Sequence, residues 1–253
     1  MKVLRAVPAL LLALRVLASH AVADDVSDLL KKGDAFDKQL KTSDALATFL
    51  EADKASPNNS EVLHRIAREY GLSMDDVSDK TAKRDHGLKA LDYAKRAVAA
   101  DGNNATAHLA LAVSYGRVAP FLDNKTKIAY SKLVKEEADK ALKLDGTNDL
   151  TYHVLGAWNY ELANLNPILR AIASALYGGI PTASNEAALD YFKKAIALNP
   201  NRIGNYVEIG KTYAALKQNG LAAENLRKAL SLPNREKDDD ECKQSAREAL
   251  QKL

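Results

Sequence analysis

Small and bulky apolar residues recur at regular intervals in the second half of the chain. The segment AALDYFKKAIALNPN, residues 187–201, is followed by NYVEIGKTYAALKQNGLAAENLRKALSLPN, residues 205–234. The matching positions are offset by 34, 34, 34 and 33 residues: Ala188, Phe192, Ala195 and Pro200 recur as Ala222, Leu226, Ala229 and Pro233. Small residues let two helices approach closely while larger ones interdigitate beside them, so the pattern predicts paired helices.

This spacing resembles the tetratricopeptide repeat, a helix–turn–helix unit of about 34 residues. Five consecutive units follow the template. Their small or aliphatic marker positions on the two helices are Gly33 and Ala45, Ala67 and Ala90, Ala112 and Val134, Gly156 and Ala188, and Gly210 and Ala222. We therefore predict an all-α fold, a right-handed α-solenoid of about five such hairpins that forms one domain over residues 24–253. The segment EKDDDECKQSAREALQKL, residues 236–253, predicts a C-terminal capping helix.

The three central units depart from the template between their two helices. The step from the first marker to the second is 12 residues in the first and last units, but 23, 22 and 32 residues in the second, third and fourth. Insertions at equivalent positions of a solenoid are expected on its loops and on the same side. The dipeptide Asp85-His86 of the second unit is accordingly predicted to lie in a solvated loop.

The longest insertion contains an apolar segment, residues 165–177, with Arg170 as its only charge. Asn166-Pro167 favours a helix start, and the glycines at 178 and 179 favour its end. The four aliphatic residues expected on one face of this inserted helix are Ile168, Leu169, Ile172 and Leu176. The face either packs into the gap that the insertion opens or forms one wall of an apolar groove for an acyl chain or a partner helix.

The N-terminal segment, residues 1–23, has the features of a cleaved signal peptide. Lys2 and Arg5 precede an apolar run, and Ala21-Val22-Ala23 resembles a cleavage site. Since no acid occurs before Asp24, a transit peptide to an organelle is the alternative. The leader predicts a periplasmic or secreted protein. The whole chain has a net charge of +3, but without the leader it has 33 basic and 33 acidic residues, so the charge gives no support for nucleic-acid binding.

The region from residue 90 to the C-terminus resembles the regulator of microtubule dynamics family. The residues that carry the resemblance are Lys125 and Lys127, the helix HVLGAWNYELA, the apolar insert with its arginine, the turn YGGIP and the segment ALDYFKKA. The resemblance implies a non-enzymatic helical scaffold. Eukaryotic relatives are associated with microtubules, and one branch with membrane contact sites and phospholipids. Because a secretory leader would place the chain where there are no microtubules, we expect the fold to carry over but not tubulin as the partner.

The first helix of each unit usually lines the concave groove of such a solenoid. The candidates for binding a partner there are His64, Arg68, Leu109, Val113, His153, Ala157, Tyr160 and Lys211. Arg68 and Lys211 are expected to be isolated cations among apolar and aromatic neighbours. A clamp for a carboxylate needs several convergent cations, so a groove for an apolar or mixed segment is the better interpretation.

The sequence contains no recognisable catalytic or metal-binding motif: there is no GxSxG, no glycine-rich phosphate loop and no HExxH. Trp158 is expected in the core. The predicted function is a scaffold, not an enzyme, that needs no cofactor and binds a protein or peptide segment in its concave groove. The alternative is a lipid-binding or lipid-transfer protein that uses the apolar insert. No transmembrane segment and no nucleic-acid partner are expected.

Overall fold

A computed structural model describes residues 25–177 and 182–253 of the chain, and all regular elements in these ranges are helical. The leader, residues 1–23, lies outside them, so the signal-peptide and transit-peptide interpretations stay predictions. The helices are α1 (25–37), α2 (Thr42–Ala55), α3 (Ser60–Leu72), α4 (Lys80–Ala100), α5 (Ala105–Val118), α6 (Asn124–Leu144), α7 (Asp149–Ala163), α8 (Pro167–Tyr177), α9 (Asn185–Leu198), α10 (Ile203–Ala215), α11 (Asn219–Ser231) and α12 (Asp239–Leu250).

The helices pair in series as the repeat predicts. The hairpins are α1 with α2, α3 with α4, α5 with α6, α7 with α9, and α10 with α11, and α12 covers the last of them. The first helices of the units also contact one another, α3 with α5 and α5 with α7. The prediction of an α-solenoid of five hairpins with an inserted helix and a terminal cap is confirmed.

Glycine on one helix and a bulky ring or branched side chain on the next hold three of these hairpins together. A Cβ atom on Gly156 would lie 2.7 Å from the ring of Phe192, and one on Gly210 would lie 2.7 Å from Leu226. Gly33 faces Phe49 in the same way. Phe49, Phe192 and Leu226 are fully buried, so each hairpin closes around one large side chain that fits only against a residue without a Cβ.

The insertions of the second and third units lengthen helices instead of forming loops, which corrects the prediction. Both α4 and α6 have 21 residues, compared with 14 in α2 and 13 in α11. Asp79 caps α4 early by accepting a hydrogen bond from the Ala82 amide, and no proline follows within the helix. His86 therefore lies within α4, where its Nδ1 is 2.9 Å from the Ser73 hydroxyl.

Asn166 caps the inserted helix α8 as predicted, accepting a hydrogen bond of 2.9 Å from the Leu169 amide. The helix packs against α6. The YGGIP turn that was expected to end it falls largely on residues 178–181, outside the described ranges.

Candidate functional site: the concave groove

A cavity of about 670 Å³ lies on the inner side of the solenoid. Helices α3 and α5 form its floor, and His64, Ala67, Leu109, Ala110 and Val113 contribute imidazole, methyl and aliphatic surface. The walls are the α1–α2 turn, the α6–α7 loop and the linker between α11 and α12. The floor is thus largely apolar and the rim is made of loops that carry charges.

Four of the eight predicted groove residues line this cavity: His64, Arg68, Leu109 and Val113. The other four do not line it. Ala157 and Tyr160 pack beside the core formed by α9 and α10, and the Nδ1 atom of His153 lies 2.8 Å from the Asn205 side-chain oxygen. Lys211 is paired with Glu208 at 2.8 Å. The structure therefore brings together the candidates on α3 and α5 and separates them from those on α7 and α10.

His64 is a buried member of the floor. Its Nε2 atom lies 3.3 Å from the Glu61 carboxylate, which belongs to the same helix. Burial lowers the pKa of His64, and the adjacent Arg65 guanidinium lowers it further. The imidazole is therefore neutral at pH 7, and it contributes a flat apolar surface with one polar edge instead of a charge.

Neither Arg68 nor Lys211 is isolated, contrary to the prediction. Arg68 forms ion pairs with Asp37 and with Glu69, and the latter pair is 3.1 Å long. The sequence could not show this, because Asp37 reaches Arg68 from the preceding hairpin. The carboxylates on both sides of Arg68 offset its charge, so this part of the groove does not attract anions strongly.

Glu69 carries the most perturbed carboxyl group at the groove. It is 1% exposed, and its Oε2 atom has no hydrogen-bond partner among the described residues. Burial raises the pKa of Glu69 to about 7; Arg68 opposes this rise and Asp37 adds to it. The group therefore titrates near neutral pH, within the helix α3 that forms part of the floor of the groove.

Cations on the rim of the cavity are functional candidates that no sequence pattern indicated. Arg117 lies 2.6 Å from Asp75, and Arg202 bridges Asp149 and Glu236 at 2.5 Å each. Each of these partners belongs to a different repeat unit or to the linker before α12, so no local pattern reports the pairs. A count of charged residues at loop positions next to the groove helices is the only sequence signal that could have indicated them.

The linker between α11 and α12 crosses the groove and reaches the first two hairpins. The Lys237 ammonium lies 2.6 Å from Asp76 and donates a hydrogen bond of 2.8 Å to the Thr42 hydroxyl. These residues are separated by 161 and 195 positions in the sequence. The two ends of the solenoid are therefore joined across the mouth of the cavity.

The inserted helix α8 divides its four predicted residues between the core and the surface. Leu169 and Ile172 pack with Ala173 against Ile128, Trp158 and Leu162. Ile168 is 68% exposed and Leu176 is 39% exposed. The packing interpretation thus accounts for two of the four residues and leaves the other two facing water.

A second cavity, of about 480 Å³, lies between α6, α7 and α9. Trp158 lines it and is otherwise in the core as predicted, with its indole nitrogen donating a 2.9 Å hydrogen bond to the Ser131 carbonyl. None of the four candidate residues of α8 lines this cavity or the groove.

Residues 25–177 and 182–253 contain neither a cluster of metal ligands nor a membrane-spanning helix. Within these ranges no three His, Cys, Asp or Glu side chains cluster as a metal ion would require. No helix there is both long and apolar enough to cross a bilayer.

Paired helices stacked in series around an inner groove define the class: this is an α-solenoid of tetratricopeptide type. The crystal structure of a thermophilic TPR protein from Thermus thermophilus has the same fold. It superposes with a TM-score of 0.63 at 17% identity, over 89% of this chain and 99% of that one.

The chain belongs to the family described as Regulator of microtubule dynamics protein 1-3, which matches residues 27–253. It is 30% identical over 233 residues to regulator of microtubule dynamics protein 1 of Mus musculus, covering 91% of this chain and 75% of that protein. It is 32% identical over 195 residues to regulator of microtubule dynamics protein 2 of Homo sapiens, covering 76% and 47%. The resemblance inferred from the sequence is confirmed, and the family and fold are typical of non-enzymatic scaffolds.

Membership of this family overturns the predicted periplasmic or secreted location. The relatives are named as regulators of microtubule dynamics. Microtubules do not occur in a periplasm or outside cells, so such a location is wrong for a member of this family. The predicted location was the reason for excluding tubulin as a partner, so tubulin is no longer excluded on that ground.

Proposed function

We propose that this chain is a non-catalytic scaffold that binds an extended segment of a protein partner in its concave groove. The observation that carries the proposal is the cavity of about 670 Å³ with an apolar floor and a charged rim. A peptide buries alternate side chains on such a floor, while the rim groups fix its direction through hydrogen bonds and ion pairs.

Because the relatives are named as regulators of microtubule dynamics, tubulin is the first partner to test. The experiment measures the growth rate and catastrophe frequency of microtubules from purified tubulin, with and without the full chain. Val113→Glu places a carboxylate on the groove floor, where desolvation and a side chain too large for the site should prevent docking. We expect the unsubstituted chain to change microtubule dynamics and this variant to lose the effect.

The matched control is Leu221→Glu, which makes the same kind of substitution on an exposed position of α11. This variant should keep the full effect. Equal losses in the two variants would show that the groove is not the binding surface, and no effect of the unsubstituted chain would exclude tubulin as the partner. Circular dichroism of both variants confirms that the helical fold is retained.

A further inference from the structure

Within the linker between α11 and α12, residues 233–238 are held by contacts at Arg235, Glu236 and Lys237. At its base the buried Asp239 side chain accepts hydrogen bonds of 2.6 and 2.7 Å from the backbone amides of Arg235 and Glu236. The Glu236 carboxylate is fixed by Arg202, which also binds Asp149 on α7. The linker is thus anchored firmly to the last hairpin.

The contact that Lys237 makes with Asp76 and Thr42 has a different character. Lys237 is only 15% exposed, but its partner Asp76 is 47% exposed on the loop that follows α3. An ion pair that is open to water on one side is weak and is easily exchanged for another of the same kind. The linker therefore has a fixed base and a contact across the groove that can be released.

We propose that residues 233–238 form a strap that closes the groove, and that a bound partner displaces it by offering its own basic side chain to Asp76 and Thr42. This inference rests on the proposed groove function. Lys237 shows which chemistry the released contact accepts: an ammonium group beside the Asp76 carboxylate and the Thr42 hydroxyl. The partner is accordingly an extended segment that presents a basic residue to Asp76.

Closure of the strap is tested in the full chain without any partner. A water-soluble carbodiimide joins a carboxylate to an amine that touches it, and peptide mass spectrometry identifies the product. We expect an amide between Lys237 and Asp76, with the Lys211–Glu208 pair within α10 as the positive control. Lys237→Arg keeps the charge but removes the reactive amine, so this variant should form no amide with Asp76. If the control pair Lys211–Glu208 is cross-linked but no amide forms between Lys237 and Asp76, the proposal that the strap closes the groove is wrong.

The chemistry of the partner is tested with a fluorescent peptide that has the sequence LPNREKDDD, residues 232–240. The tethered strap competes at a high effective concentration, so Lys237→Ala should raise the affinity of the chain for this peptide about tenfold over the unsubstituted chain. Adding Asp76→Asn should abolish the gain, and a peptide with glutamate in place of its lysine should show none.

Equal affinity of the three chains, or of the two peptides, would overturn the claim that the site receives a basic side chain. These outcomes are separable from a failure of the proposed function. The carbodiimide product concerns the strap alone, and the tubulin measurements with Val113→Glu concern the groove alone.

Discussion

Gly156 on α7 lies directly under the ring of Phe192 on α9, and a Cβ atom there would come within 2.7 Å of the ring. Phe192 is fully buried and cannot move away without opening the hairpin. We therefore expect Gly156→Ala to lower the free energy of unfolding by about 1–3 kcal/mol, the usual cost of overpacking a core. Urea unfolding followed by circular dichroism measures this loss.

Gly220 on α11 provides the control, since no heavy atom lies within 4 Å of the place where its Cβ would be. Alanine is the better helix former, so Gly220→Ala should be neutral or stabilise the chain by up to about 1 kcal/mol. A similar loss in both variants would mean that the contact with Phe192 is not the cause, because helix propensity alone favours alanine over glycine at both positions.

The contact between Gly156 and Phe192 also shows why the fold could be predicted from the sequence. Small and bulky positions within one repeat unit report hairpin packing, which is local and recurs along the chain. The pairs of Arg202 with Glu236 and of Lys237 with Asp76 depend on the curvature of the whole solenoid, and no spacing rule reports that curvature. The lengthened α4 was missed because helix continuation depends on the absence of a breaker, whereas the repeat template suggested a loop.

The raised pKa of Glu69 predicts that the free energy of unfolding depends on pH. This pKa is raised from 4.5 to about 7 by burial, so the folded chain binds more protons than the unfolded chain between these values. Stability must then fall as the pH rises from about 4.5 to about 7, and we expect this group to contribute about 3 kcal/mol to the fall. Free energies of unfolding in urea at a series of pH values across this window measure the slope.

Glu69→Gln retains the shape of the side chain and removes its titration. The variant should lose this part of the slope, so that its stability exceeds that of the unsubstituted chain most clearly above pH 7. Glu224→Gln on the surface of α11 is the matched substitution and should leave the slope unchanged. If the slope of the Glu69→Gln variant equals that of the unsubstituted chain, another group is responsible for it.

Arg202 joins α7 to the strap, because it binds both Asp149 and Glu236 and its side chain is only 19% exposed. Arg202→Ala leaves two partly buried carboxylates without their cation, so we expect a loss of about 3 kcal/mol in the free energy of unfolding. Arg202→Lys should recover only part of it, since an ammonium lacks the fork that reaches two carboxylates at once. The exposed Arg227→Ala should change stability by less than about 0.5 kcal/mol.

Substitutions on the buried and exposed parts of α8 distinguish the packing interpretation from the lipid-binding alternative. Ile172 contacts the cluster around Trp158, so Ile172→Asp should cost roughly 2–4 kcal/mol of stability. Ile168 is exposed, and Ile168→Asp should leave the thermal midpoint within about 2 °C of the unsubstituted chain.

Native mass spectrometry after incubation with phosphatidylcholine vesicles then tests lipid binding by the folded Ile168→Asp variant. Lipid retained by the unsubstituted chain and lost from the Ile168→Asp chain would establish α8 as a lipid contact. No retained lipid in either chain would leave the helix as a packing element whose outer residues do not bind this phospholipid.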